Sequence, residues 1–171
     1  GGGYFWSSSE SETNLGYNWI DIDGLGTLVQ FANNDDSPGS VDIGFEFPFF
    51  DSEYGQCLIN PNGWIGFGSS VPNDNDYSND ELPSTDSPRP AIMGMWDDLN
   101  PSNNNGNASA SGNVYYYRDP SGNYFVVWYD HVVRYQGTVN PNYGEFDFQI
   151  VLYRDGHFDI NYREMIGDVS S

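Results

Sequence analysis

The chain has 171 residues, 17% of them aromatic, and a formal net charge of −20 from 25 acidic and five basic residues, every basic one an arginine. A chain of this length buries roughly 70% of the surface its unfolded form exposes, so neither a metal nor a disulfide is needed to complete a core. The charge repels phosphate backbones and anionic membranes, which excludes nucleic acid as a partner, and it favours hard cations, calcium first.

The chain opens with Gly1-Gly2-Gly3, without a methionine or an apolar signal segment, and is expected to be a mature or excised piece whose residues 1–3 are a tag or flexible start. No window approaches about 18 uninterrupted apolar residues, so no membrane insertion is expected. Tyr4-Phe5-Trp6 leads into the polar run Ser7–Glu12. The alternation in Tyr17-Asn18-Trp19-Ile20-Asp21-Ile22 then predicts a strand with one wet face. Thr27–Phe31 predicts a second strand, closed by the turn-rich Asn33-Asn34-Asp35-Asp36-Ser37-Pro38-Gly39.

In 41–50, Val41, Ile43, Phe45, Phe47 and Phe49 share one face, and Pro48 predicts an edge position or a strand end. Cys57-Leu58-Ile59 and Trp64–Gly68 flank Asn60-Pro61-Asn62-Gly63, where Asn-Gly supplies the positive φ angles of a hairpin turn. Residues 69–90, with four prolines and no periodicity, predict a long surface loop before Ala91–Trp96 returns to the core. Further strands are expected in Asn113–Tyr117, Tyr124–Tyr129, Phe146–Tyr153 and Phe158–Tyr162, with turns at Asp119–Gly122 and Arg154–His157. Without helical spacing or caps, about nine to ten short strands predict an all-β fold. The expected architecture is a single domain, 1–171, forming an antiparallel two-sheet β-sandwich with long acidic loops.

Tyr17-Asn18-Trp19-Ile20-Asp21, Ile43–Phe50, Asn62–Gly68 and Met95-Trp96-Asp97-Asp98-Leu99 occur in an order that resembles the β-sandwich accessory domains of large secreted bacterial proteins, often found beside subtilisin-like or gingipain-like peptidases. Trp96-Asp97-Asp98, Gly112–Tyr116, Val126–Trp128 and Phe148–Leu152 make the second half similar to the extracellular nidogen-type domain. The resemblance implies a sandwich fold and an extracellular, secreted or cell-surface setting. It carries no shared catalytic residue onto this chain.

Asn73, Asp74, Asn75, Asp76, Ser78 and Asp80 alternate oxygen side chains along one loop, the pattern by which a loop wraps calcium, and form the first metal candidate. Asn33, Asn34, Asp35 and Asp36 form the second. Asp97 and Asp98 form a third; being adjacent they point apart, so one faces inward, where Arg134 or Arg118 is expected to neutralise it. The alternative throughout is a solvated acidic surface.

Cys57, the only cysteine, precludes an internal disulfide and is expected to be buried and inert. Zinc spacing and phosphate loops are absent, and neither His131 nor His157 lies in a nucleophile motif. The sequence therefore predicts a noncatalytic extracellular binding, spacing or adhesion module. Its expected partners are an extracellular protein or glycan, neighbouring domains or copies of itself. The alternatives are a self-assembling subunit, a carbohydrate-binding module using Trp6, Trp19 and Tyr115 to Tyr117, and a hydrolase using two facing carboxylates.

Overall fold

A computed structural model describes residues 3–12, 15–31, 36–102, 111–135 and 144–167, and these build two antiparallel sheets. One contains β2 (Gly39–Phe49), β3 (Ser52–Asn60), β4 (Trp64–Phe67) and β5 (Ala91–Met93) in that order. The other runs β1 (Thr27–Leu28), β6 (Asn113–Arg118), β7 (Tyr124–Val133), β8 (Glu145–Tyr153) and β9 (Phe158–Ile166). The expected sandwich is thus a four-on-five arrangement of nine strands among the described residues.

Alternation becomes architecture most directly in β2. Val41, Ile43, Phe45, Phe47 and Phe49 are buried, while Asp42, Gly44 and Glu46 between them are exposed. The five buried side chains meet Phe125, Val127 and Tyr129 of β7 and Phe146, Phe148, Ile150 and Leu152 of β8 in one inter-sheet core. Each large apolar side chain buried there contributes about 1.5–3 kcal/mol. Pro48 lies in β2, the edge strand, as a residue without an N–H must. Cys57 is fully buried in β3, and burial pushes its thiol up to about 12.

Both outer faces are also covered. Leu58 and Trp64 pack under Val71 and Trp96 on the four-stranded sheet. Val126, Trp128 and Val151 pack under Trp19, Ile20 and Ile22 on the other. The expected strand at 17–22 is not one: the segment joins no ladder. Gln149 holds it instead, accepting from Ile20 N at 2.9 Å and donating to Ile20 O at 3.1 Å, while Asn161 Nδ2 donates to Asn18 O. The alternation at 17–22 reflects one-sided burial, which a segment lying flat on a sheet shares with a strand. Likewise only Thr27–Leu28 of the expected strand 27–31 pairs, with Tyr116 and Tyr115.

No helix forms among the described residues, and none is long and apolar enough to cross a membrane.

Candidate functional site

The β3–β4 hairpin turns at the expected place, but through the three residues Pro61 to Gly63, and of the Asn-Gly pair only Gly63 takes a positive φ, +83°; its apex is buried. A Cβ at Gly63 would collide with the Met95 carbonyl, and the Gly63 carbonyl accepts from both Gly94 N and Met95 N. Asn62 accepts from Leu99 N at 2.9 Å and donates to Asp36 Oδ1 at 2.9 Å. Asn60 Nδ2 donates to Asp36 O and Asp74 O, and Trp64 Nε1 donates to Asp76 O. The apex therefore gathers Asp36 from the second metal candidate and Asp74 and Asp76 from the first. Burial raises the Asp36 carboxyl above its ordinary range; the Asn62 hydrogen bond opposes this and the Asp76 charge adds to it.

The other predicted positions are spread out. Asn73 occupies a left-handed conformation, φ +55°, and donates to Asp86 O. Asn75 is exposed in the same turn. Ser78 donates through N and Oγ to Asp76 Oδ1, and Asp80 Oδ2 accepts from Ser84 Oγ. Asn33, Asn34 and Asp35 lie outside the described residues. Asp97 pairs with Arg134 at 3.1 Å, the neutralisation expected of one member of that pair, and its Oδ1 also accepts from Asp98 N. Arg118 goes elsewhere, to Asp42 O and the Tyr116 ring.

Asp130, His131 and Asp147 form a cluster the sequence reading did not single out, with ligand atoms all within 4.8 Å of one another, and such a group can hold a divalent ion. A bulge between Tyr129 and Val132 places it, with His131 at φ +51°. Asp147 is 1% exposed and has both oxygens engaged, Oδ1 by Trp128 Nε1 at 2.8 Å and Oδ2 by Arg163 Nε at 2.6 Å. Arg163 lies over the Trp19 ring at 4.3 Å. The hydrogen bond to Asp130 raises the His131 pKa, burial opposes it, and the charges of Asp147, Asp130 and Glu145 add to the rise. Calcium prefers an all-oxygen shell, so the imidazole and the competing guanidinium suit it poorly. As built, the cluster is an ion-pair network that keeps a buried carboxylate satisfied. Its signal was Asp147 between Phe146 and Phe148, a charge placed on the opposite face from two core rings.

Among the described residues neither histidine is hydrogen-bonded to a Ser, Thr or Cys side chain. His131 faces Asp130, Asp147 and Glu164. His157 is exposed in the β8–β9 turn, bonded to Asp155 and stacked on Tyr153 at 4.0 Å.

A groove of about 570 Å³ lies beside the β2–β3 turn, lined chiefly by Phe49, Phe50, Tyr54, Leu82, Arg89 and Met93. Phe50 sits at φ +53° and is 63% exposed, and Leu82 is 58% exposed. Phe49 ends β2 facing the core, and Phe50 follows it in the β2–β3 turn, outside the strand. Of the proposed sugar-stacking rings, Tyr115 and Tyr117 lie half-buried in the outer cluster with Trp19, and Tyr116 packs on the core. Trp6 alone of that set is largely exposed.

The family profile described as "NIDO related" matches residues 11–171. The chain belongs to the NIDO-related family. No curated protein and no solved structure matches it. The match to this NIDO-related domain covers both sheets and every residue discussed above except residues 1–10, so the nidogen-type resemblance of the second half extends through the first.

Proposed function

We propose that this NIDO-related domain is a noncatalytic extracellular module of a larger secreted or surface protein, contributing binding, spacing or adhesion, and that it binds through the groove beside the β2–β3 turn. The observation that carries this reading is the groove itself, where apolar side chains that could have been buried are held at the surface. Its volume falls within the roughly 300–1,000 Å³ of ordinary ligand sites. Phe50 is held outward by a left-handed backbone that side-chain-bearing residues rarely adopt. A position beside a peptidase domain, as in secreted bacterial proteins, rests on the order of the motifs alone. Calcium is proposed as a stabilising ion at the hairpin apex, where the Asp36 and Asp76 carboxylates repel one another.

The test pairs binding with turnover. Wild type and Met93→Lys are screened against immobilised peptide and glycan libraries and assayed on peptide and glycan substrates. Ligands bound by wild type and lost in the variant support the reading. Hydrolysis abolished by one acidic substitution would overturn it.

A further inference from the structure

The N-terminal arm and the groove are complementary, and they share a wall. Tyr4 is anchored: its hydroxyl donates toward Pro48 O and Gly156 O, at 3.1 and 3.0 Å, and its ring lies 5.3 Å from Phe49 and 5.2 Å from Phe50. The next two residues are the most exposed aromatics described, Phe5 at 100% and Trp6 at 86%. Two large rings left in water beside an apolar groove are a strong sign of an absent partner, since surface patches of this kind mark interaction sites.

We propose that the groove of one molecule receives the Phe5–Trp6 arm of a second copy of this chain, in a reciprocal two-fold exchange. Because Phe49 and Phe50 both hold the root of the arm and line the groove, an axis beside that wall carries each arm over the other copy's groove at once. The contact is self-complementary, as a two-fold interface must be.

The polar groups match as well. Arg89 lines the groove and donates to Ser84 O; like Arg118 and Arg154, which bond backbone carbonyls, and unlike Arg134 and Arg163, it pairs with no carboxylate among the described residues. The arm continues past its rings into Ser7-Ser8-Ser9-Glu10-Ser11-Glu12, with Glu10 and Glu12 exposed. An aromatic pair followed by carboxylates thus faces an apolar groove followed by a guanidinium.

Two Phe and two Trp side chains bury roughly 600–1,000 Å². With the groove surface they cover, the total reaches the about 1,200 Å² at which specific interfaces begin. Between two bodies of charge −20, such an interface forms a reversible dimer that tightens with salt.

The inference rests on the groove being a binding face, and the experiment separates the two. Sedimentation equilibrium of the whole chain at about 0.1 M and about 1 M salt, where the Debye length falls from roughly 10 to 3 Å, is expected to show a monomer–dimer equilibrium at least about tenfold tighter at high salt. Trp6 emission should shift to the blue in step with dimerisation. The double variant Phe5→Ser with Trp6→Ser and the groove variant Leu82→Glu should each be monomeric, and since all three side chains are exposed, both variants should melt as wild type does. Mixing the two variants restores one of the two exchanges and should give a weaker heterodimer. A chain that stays monomeric at high salt overturns the proposal, as does a dimer indifferent to both variants. A monomer whose Trp6 emission is blue at every concentration also overturns it, by showing the arm in its own groove. In each of these cases, ligand binding lost in Met93→Lys would leave the groove a binding face for a different partner.

Discussion

Asp36 shows how one residue is set by neighbours far along the chain. It accepts from Asn62 and lies near Asp76, and burial raises its carboxyl above the ordinary 3.8. A carboxyl whose folded pKa exceeds its unfolded one favours the fold below the unfolded value, and that contribution is lost as pH rises through the folded pKa. At pH 7 the ionised group is therefore a cost. Asp36→Asn keeps the acceptor and removes the charge; after discounting for solvent screening at a half-buried site, it should stabilise by about 0.5 kcal/mol, or roughly 1–2 °C in Tm. The gain should vanish below about pH 3.8, in metal-free buffer, by thermal melts across pH. A variant less stable than wild type at pH 7 would show the carboxylate to be a favourable partner there.

At the scale of elements, segment 17–22 is held by side chains rather than by a ladder. Gln149 is fully buried, exchanges two hydrogen bonds with Ile20 and accepts a third from Asn161. Gln149→Leu fits the volume and leaves the Ile20 N–H and C=O without partners, which should cost about 2–3 kcal/mol. Hydrogen exchange at the Ile20 amide should then approach that of a free chain while β7 and β8 remain protected. Unchanged protection at Ile20 would mean that Trp19 on Trp128, with ring centroids 6.2 Å apart, holds the segment by itself.

For the whole molecule the dominant number is the net charge of −20, which opposes compaction. Calcium and general screening are separated by melting wild type and Asp74→Asn with Asp76→Asn at constant ionic strength, with and without the ion. If native protein alone binds calcium, a hundredfold excess over its dissociation constant adds about 2.7 kcal/mol, and chelation lowers Tm in wild type alone. Equal responses in both proteins would place the ion elsewhere, and no response in either would leave the loop a solvated acidic surface.

The fold class, the inner face of β2, the β3–β4 turn and the inert Cys57 were legible in the residue order, because strand burial has a period of two and turns depend on adjacent φ angles, both local properties. What pairs with what is a long-range matter. Segment 17–22 carries the alternation of a strand, yet its partners are amides more than 120 residues away. The Asp130–His131–Asp147 cluster joins a bulge on one strand to the outer face of the next. The groove brings Phe50 and Tyr54 against Leu82 and Met93, which no spacing rule connects. The hairpin apex is dry because the chain returns over it at Met95 and Leu99, a cover that the local turn signal does not contain. Periodicity along the chain determines which face of an element is buried; what covers that face is decided only when distant segments pack together.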